Sequence, residues 1–228
     1  SEKGGAYRIG AAVPGAVLCD HSGFRTAWPG VIEGLSLIGS TQIQGRASLG
    51  GNLCNGSPAA DSVPAVIAAG ATVNIIGPNG TRKAAAEDII IGPGKTSLAA
   101  GEIITSFDFP ARPDNSGDCY MRLTPRTEMD IAVVGVGVNL TLDGSGTCTA
   151  ARVSLGAVAP TPLLVKAAAD ALIGTKVDAA ALDALGKAAS AACNAISDKR
   201  GTKEYRIKTA AVMARRVAEK ALERAKAN

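Results

Sequence analysis

The sequence predicts an α+β fold made of two small domains, and three observations support this prediction. Two short strand-like segments before residue 112 are joined by the turn signal Pro78-Asn79-Gly80, which is typical of a β-hairpin. Apolar residues alternate with small or polar residues over 131–142 and again over 147–158, which is the period of strands. Three alanine-rich segments then follow, and the last carries its apolar residues at helical spacing.

The boundary between the two domains is predicted in the polar segment from Ala111 to Gly117, which contains Pro113, Asp114 and Asn115. We therefore expect a first domain over residues 1–112 and a second over residues 113–228. The second is predicted to hold about three antiparallel strands, which begin at Asp118 and are covered by helices over 163–173, 179–195 and 202–225.

The first domain is predicted to mix short helices with strands. Gly70 is expected to stop one of these helices, because glycine adopts the left-handed conformation that ends many helices. We expect helices over 27–40 and 62–69, and strands over 6–12, 71–76, 81–84 and 102–110.

The composition fits a globular chain without a membrane span. Hydrophobic residues make up 46% of the 228 residues and aromatic residues only 3%, so aliphatic side chains must form the core. No apolar run is long enough to cross a bilayer and no signal peptide is visible. We expect a cytoplasmic protein.

The five cysteines are widely spaced, without a Cys-x-x-Cys pair, and their number is odd. This pattern argues against a disulfide framework and against an iron–sulfur or zinc site in this chain. The single histidine, His21, cannot supply a metal cluster, and we expect it on the surface or in a loop. Free thiols in a reducing compartment are the simplest interpretation.

Basic residues concentrate near the end of the chain, where ten of the 24 lysines and arginines lie between Lys199 and Lys226. No aromatic pattern accompanies them, so a nucleic-acid surface is a weak interpretation. A solvated helix face or a contact with another subunit fits better.

The segment from Ser48 to Ser62 concentrates residues with special backbone requirements. Gly50 and Gly51 are adjacent, so backbone amides there are expected to approach a phosphate closely, with the polar Ser48 and Asn52 beside them. Ser57-Pro58 predicts a helix start. Asp61 is expected to hold sugar or ribityl hydroxyls. A tight turn without a ligand is the alternative interpretation of the same glycines.

This string, Ser48-Leu49-Gly50-Gly51-Asn52 followed by Ser57-Pro58 and Asp61, resembles a segment of the xanthine dehydrogenase and carbon monoxide dehydrogenase family of molybdenum hydroxylases. The resemblance implies that the string wraps the diphosphate of FAD. It also implies an FAD-binding domain of the vanillyl-alcohol-oxidase type, followed by the family's small C-terminal domain.

Two further stretches carry the resemblance. In the strand over 102–110, it places Ile104 against the flavin, although an ordinary buried strand residue fits the pattern equally well. Tyr120-Met121-Arg122, followed by Asp130-Ile131-Ala132-Val133, matches a family signature in which the basic residue reaches the isoalloxazine ring. A cation there would stabilise the negative charge of the reduced ring. A surface ion pair is the alternative for Arg122.

The sequence also departs from the family pattern. The family carries a second glycine-rich flavin loop, of the type Ala-Gly-Gly-Thr-Asp, before the strand that begins near Ala6, and no such string is present. We therefore expect that the N-terminal lobe of the FAD domain is missing from this sequence; supply by another chain and impaired flavin binding are the alternatives. Gln44 and Gly45 also replace the usual Arg-Asn pair ahead of the motif.

The resemblance implies an FAD-carrying electron-transfer subunit. A molybdenum-cofactor large subunit would oxidise the substrate, an iron–sulfur small subunit would pass the electrons on, and FAD in this chain would deliver them to an external acceptor. Two alternatives stay open: a stand-alone flavin oxidase of the broader family, and a non-catalytic assembly module that has lost its flavin.

Overall fold

The computed structural model describes residues 1–127 and 129–228, and these form strands and helices in a mixed order. The strands are β1 Glu2–Lys3, β2 Ala6–Gly10, β3 Thr72–Gly77, β4 Gly80–Ala85, β5 Ile90–Gly92, β6 Lys95–Thr96, β7 Ile103–Phe109, β8 Ser116–Leu123, β9 Val134–Leu142, β10 Cys148–Gly156 and β11 Leu163–Leu164. The helices are α1 Gly15–Asp20, α2 Ser22–Ala27, α3 Pro29–Ser36, α4 Thr41–Gln44, α5 Leu49–Cys54, α6 Ser62–Ala68, α7 Lys166–Asp170, α8 Ala179–Ala192 and α9 Lys203–Ala227. The predicted α+β class is confirmed.

A five-stranded antiparallel sheet in the order β1-β2-β7-β3-β4 organises the first half of the chain. One face carries charged side chains, including Arg8, which pairs with Asp108 on β7 at 2.6 Å. The other face packs Tyr7, Phe107 and Phe109 into a core with α3, α5 and α6. The predicted hairpin is confirmed, because β3 and β4 pair directly and Gly77 faces Gly80.

A second antiparallel sheet, in the order β11-β10-β9-β8, organises the rest of the chain. We predicted about three strands, and the structure adds a fourth. Leu163 and Leu164 form the short β11 beside β10, although we expected them to begin a helix; that helix, α7, begins only at Lys166. The other two C-terminal helices lie close to their predicted positions.

Both faces of this second sheet are covered. The long helix α9 packs against β8 and β9, with α8 behind it and α7 against β10. On the opposite face α6, which belongs to the first half of the chain, packs against β9 and β10. A Cβ on Gly137 would lie 2.6 Å from the Pro64 carbonyl oxygen of α6, so glycine permits this close approach.

Two hydrophobic clusters form the interior. One surrounds the five-stranded sheet and the other lies between the second sheet and helices α7, α8 and α9. Tyr120 on β8 belongs to the first cluster, which shows how closely the two halves join. No helix in the described parts of the chain is both long and apolar enough for a bilayer crossing.

The predicted helix start at Ser57-Pro58 is wrong. Residues 57–60 form turns, and the Ser57 hydroxyl accepts a hydrogen bond from the Ala59 amide at 3.2 Å. The next helix, α6, begins at Ser62 and is followed by Gly70 at a positive φ of 69°, as predicted. The helix that belongs to the glycine motif is instead α5, which begins one residue after Ser48.

Candidate functional site

The glycine motif forms the first turn of α5. Ser48 is its N-cap, and the Ser48 Oγ accepts a hydrogen bond from the Gly51 amide at 3.1 Å. The Gly50 amide donates to the carbonyl oxygen of Ala11 at 3.0 Å, so α5 is fixed against the end of β2. We expected both glycine amides to be free for a ligand, and the structure shows both engaged within the chain.

The two glycines have different reasons to lack a side chain. A Cβ on Gly50 would lie 2.6 Å from the Ala11 carbonyl oxygen, a clash with backbone. A Cβ on Gly51 would meet only the Ser48 Oγ, at 3.3 Å, and Gly51 is exposed. Gly50 is thus required for packing, whereas Gly51 keeps a surface open.

That surface belongs to a groove of about 300 Å³ between α5 and β7, which we call the α5 groove. Ser48, Gly50 and Gly51 line it from the side of α5, and Ile103 and Ile104 line it from β7. The structure therefore brings together four residues predicted from sequence, including Ile104. The other lining residues are Ala11, Ala12, Cys54, Leu98 and Glu102.

The sequence pattern did not predict these additional lining residues. Ala11 and Ala12 follow β2, and an isolated bridge between Pro14 and Ser48 joins the two chain segments. The small side chains of Ala11 and Ala12 were the sequence feature that could have indicated space for a groove beside β2. Cys54 is one helical turn after Gly51, so helical spacing would have placed it on the same face once α5 was recognised.

Glu102 places a carboxylate at the edge of the α5 groove. Arg82 donates two hydrogen bonds to it, each of 2.7 Å, and the Ala99 amide donates a third of 2.8 Å. These donors hold the charged form and lower the pKa of Glu102 to about 2. The carboxylate is therefore a fixed negative charge at neutral pH.

Two predicted residues lie next to the groove but serve the fold. Leu49 is 2% exposed and points into the first core. The Asn52 Oδ1 accepts hydrogen bonds from the Ser62 amide at 3.1 Å and from the Ser62 hydroxyl at 2.8 Å. Asn52 thus fastens the end of α5 to the start of α6.

Asp61 and Arg122 form a pair of their own and do not line the α5 groove. The Arg122 Nη1 lies 2.8 Å from the Asp61 Oδ2, and both side chains are nearly buried. Arg122 also donates to the Asp130 carbonyl oxygen at 3.3 Å. The pair joins the segment before α6 to the end of β8. The predicted alternative for Arg122 was a surface ion pair; an ion pair is present, but it is nearly buried and does not lie on the surface.

Burial and the charge of Arg122 have opposite effects on the pKa of Asp61. Burial raises the pKa of Asp61, and the charge of Arg122 acts in the opposite direction. Burial and the neighbouring Asp61 carboxylate both raise the pKa of Tyr120, whose hydroxyl lies 3.5 Å from the Asp61 Oδ1. The charged form of Asp61 therefore depends on Arg122.

Comparisons with known proteins cover both halves of the chain. Residues 1–112 match the family model of the FAD binding domain in molybdopterin dehydrogenase, and residues 119–221 match that of the CO dehydrogenase flavoprotein C-terminal domain. The chain is 36% identical to the carbon monoxide dehydrogenase medium chain of Afipia carboxidovorans, over 99% of this chain and 77% of that protein. It is 30% identical to the xanthine dehydrogenase FAD-binding subunit of Escherichia coli O157:H7, over 96% of this chain and 75% of that protein.

Solved structures agree with these relatives. The fold matches a chain of the reconstituted CO dehydrogenase from Oligotropha carboxidovorans with a TM-score of 0.93 and 35% identity, over 98% of this chain and 77% of that chain. The resemblance inferred from the glycine motif is confirmed. The chain belongs to the family of FAD-binding subunits that includes the carbon monoxide dehydrogenase medium chain and the xanthine dehydrogenase FAD-binding subunit.

Proposed function

We propose that this chain binds FAD at the α5 groove and works as the electron-transfer subunit of a cytoplasmic molybdenum hydroxylase. An iron–sulfur small subunit would deliver electrons that a molybdenum-cofactor large subunit takes from the substrate, and an external acceptor would receive them. FAD, when bound, supplies a ring that accepts and releases electrons. The names of the relatives, a medium chain and an FAD-binding subunit, support this division of labour.

The observation that carries the proposal is the open surface at Gly51. The Ser48 Oγ already accepts the Gly51 amide proton, so its own hydroxyl hydrogen is left to donate to a ligand oxygen. Gly51 offers no side chain that would hold a diphosphate away from this hydroxyl. These features fit the diphosphate of FAD, and the apolar Ile103 and Ile104 fit a less polar part of the cofactor.

Asp61 and Arg122 are proposed to serve the flavin as a unit. The Arg122 Nη1 donates to Asp61 and to the Asp130 carbonyl oxygen. The Arg122 Nε and Nη2 donate no hydrogen bond to any group that the structure describes. We propose that these remaining donors face the flavin ring, as the sequence resemblance implies. Asp61 then orients Arg122, in addition to the proposed contact with hydroxyl groups.

Flavin and metal content of the purified complex test this function. We expect FAD in a one-to-one ratio with this chain, measured by absorbance after acid release, together with co-purifying iron and molybdenum. Flavin without these metals would instead support the stand-alone oxidase. Absence of flavin from the intact complex would contradict the proposal and favour the assembly module.

The Gly51→Val variant tests the site itself. A branched side chain at this exposed position is expected to fill the α5 groove and to release FAD, while the fold is kept. Gly144→Val is the matched control, because a Cβ on Gly144, in the turn after β9, meets no atom within 4 Å. Stoichiometric flavin in Gly51→Val would contradict this site.

A further inference from the structure

Three arginines from separate segments converge on a concavity of about 280 Å³ that shares no lining residue with the α5 groove. Arg25 lies in the last turn of α2, Arg112 lies in the segment before β8, and Arg224 lies in the last turn of α9. We call this surface the arginine concavity. Thr26, Ser116 and Asn228 contribute to its lining.

Arg112 is the fixed element of the arginine concavity. Its side chain is 10% exposed, and its Nη1 donates to the Asp118 Oδ1 at 2.6 Å while its Nε donates to the Ser116 Oγ at 3.1 Å. The guanidinium also lies 5.1 Å from the centre of the Trp28 ring. Its Nη2 bonds to no group in the described residues and is not enclosed, so it is free to donate to a bound molecule.

The carboxylates nearest to the arginine concavity are already engaged. Asp118 accepts from Arg112 and from the Gly30 amide at 2.9 Å. Glu33 accepts from Arg224 and from the Tyr120 amide.

Arg25 supplies a side chain without an ion pair in the part of the chain that the structure describes. It is exposed, and among the described residues it pairs with no carboxylate within 4 Å. Arg112 and Arg224 are therefore paired with carboxylates, whereas no ion pair of Arg25 is found among the described residues.

We propose that the arginine concavity binds a small oxyanion, a phosphate or a carboxylate, between Arg25 and the Nη2 group of Arg112. Planar guanidinium groups recognise the paired oxygens of such anions with charge-assisted hydrogen bonds. The buried setting of Arg112 fixes the direction of its free N–H groups in advance. This site is independent of flavin.

Thermal unfolding of the purified chain in a phosphate series tests the proposal, with potassium chloride keeping the ionic strength constant. Phosphate that binds the folded chain raises its unfolding temperature in a concentration-dependent way. We expect the Arg25→Gln variant to need at least about ten-fold more phosphate for the same shift. Arg216→Gln is the matched control, because Arg216 is an exposed arginine of α9 outside the concavity, and it should respond as the wild type does.

The same unfolding measurement with acetate in place of phosphate tests whether the site prefers carboxylates. Equal responses of Arg25→Gln and Arg216→Gln, or no Arg25-dependent response to either anion, would overturn the proposal. The same phosphate series on the assembled complex then identifies where the bound anion comes from. A phosphate effect that persists in the complex indicates a free anion, whereas its loss, with weaker subunit assembly in Arg25→Gln, indicates a carboxylate of the partner.

Discussion

Arg224 on α9 and Glu33 on α3 form an ion pair that joins segments 191 residues apart in the sequence. The Arg224 Nη1 lies 3.2 Å from the Glu33 Oε2, and its Nη2 bonds to the Oε1 of the same carboxylate. The Glu33 Oε2 also accepts a hydrogen bond of 2.9 Å from the Tyr120 amide on the edge strand β8. The Glu33 carboxylate thus accepts a hydrogen bond from one amide of the edge strand and joins the last helix to the first half of the chain.

The Glu33→Ala variant is expected to destabilise the chain by about 1–3 kcal/mol, because it leaves the Tyr120 amide and Arg224 without their shared partner. Urea unfolding measures this loss. Glu219→Ala is the control, since Glu219 is an exposed carboxylate on α9 without a described ion pair. Equal stability of the two variants would mean that water replaces Glu33 at the edge of β8.

The strands were predictable from sequence because their alternating pattern is local. The pattern over 131–142 nevertheless indicated one apolar face, whereas the structure buries both faces of β9. Gly135 and Gly137 explain the difference. A Cβ on Gly135 would lie 2.6 Å from the Tyr120 hydroxyl, and a Cβ on Gly137 would lie 2.6 Å from the Pro64 carbonyl oxygen. Small residues on a strand can thus mark a packed interface as well as an exposed face, and only the topology distinguishes the two.

The glycine motif was found as a site, but its local structure was not predicted. Two adjacent glycines disfavour a helix by about 1 kcal/mol each relative to alanine. The Ser48 cap and the bond from the Gly50 amide to Ala11 nevertheless fix α5 there. The Ala11 contact joins residues far apart in sequence, so the propensity of the glycines could not reveal it. The Asp61–Arg122 pair escaped prediction for the same reason.

Alanine substitutions are expected to separate the roles of the two glycines. Gly50→Ala should cost about 1–3 kcal/mol in stability, because its Cβ would lie 2.6 Å from the Ala11 carbonyl oxygen and 2.8 Å from the Ala11 Cβ. Gly51→Ala should be neutral or slightly stabilising, since its Cβ meets only the Ser48 hydroxyl and alanine favours the helix. Thermal unfolding of both variants is the measurement. A loss of stability in Gly51→Ala equal to that in Gly50→Ala would contradict this distinction.

Glu102 is expected to contribute to acid sensitivity. Arg82 and the Ala99 amide lower the pKa of Glu102 from 4.5 to about 2 in the folded chain. The stabilisation by this charged carboxylate is therefore complete above a pH of about 4.5, the ordinary value, and is lost as the pH falls toward about 2.

The Glu102→Gln variant checks this prediction in urea unfolding at a series of pH values. It should lose stability less steeply than the wild type over this acid range. Glu219→Gln, which lacks such donors, should follow the wild type. Parallel curves for Glu102→Gln and the wild type would show that the bonds to Arg82 do not persist in solution.

Arg122 is expected to tune the flavin if its free donors face the ring. The Arg122→Ala variant, in the flavin-loaded complex, should lower the reduction potential of FAD, because the negative charge of the reduced ring loses a stabilising cation. Arg122→Lys should restore part of the potential. Spectroelectrochemical titration measures both variants. An unchanged potential in Arg122→Ala with bound flavin would remove this residue from the site.

The Asp61–Arg122 pair is expected to show strong coupling in a double-mutant cycle. Arg122→Ala alone should destabilise the chain by about 3–5 kcal/mol, because it leaves the nearly buried Asp61 carboxylate without its cation. Asp61→Ala alone should also be costly, since the Arg122 side chain is only 4% exposed and would lose its carboxylate partner. The double variant removes both charges, so its loss should be smaller than the sum of the two single losses.

Urea unfolding of the four proteins without flavin gives the coupling energy directly, which keeps this test separate from cofactor binding. We expect a coupling of at least about 1 kcal/mol. Arg8 and Asp108 provide the comparison, because this pair has a similar N···O distance of 2.6 Å but an Arg8 side chain that is 57% exposed, and its coupling should be clearly smaller. Equal coupling in the two pairs would show that water screens Asp61 and Arg122 as it screens the exposed pair. Arg122 would then be free to move, and Asp61 could not hold it toward the flavin.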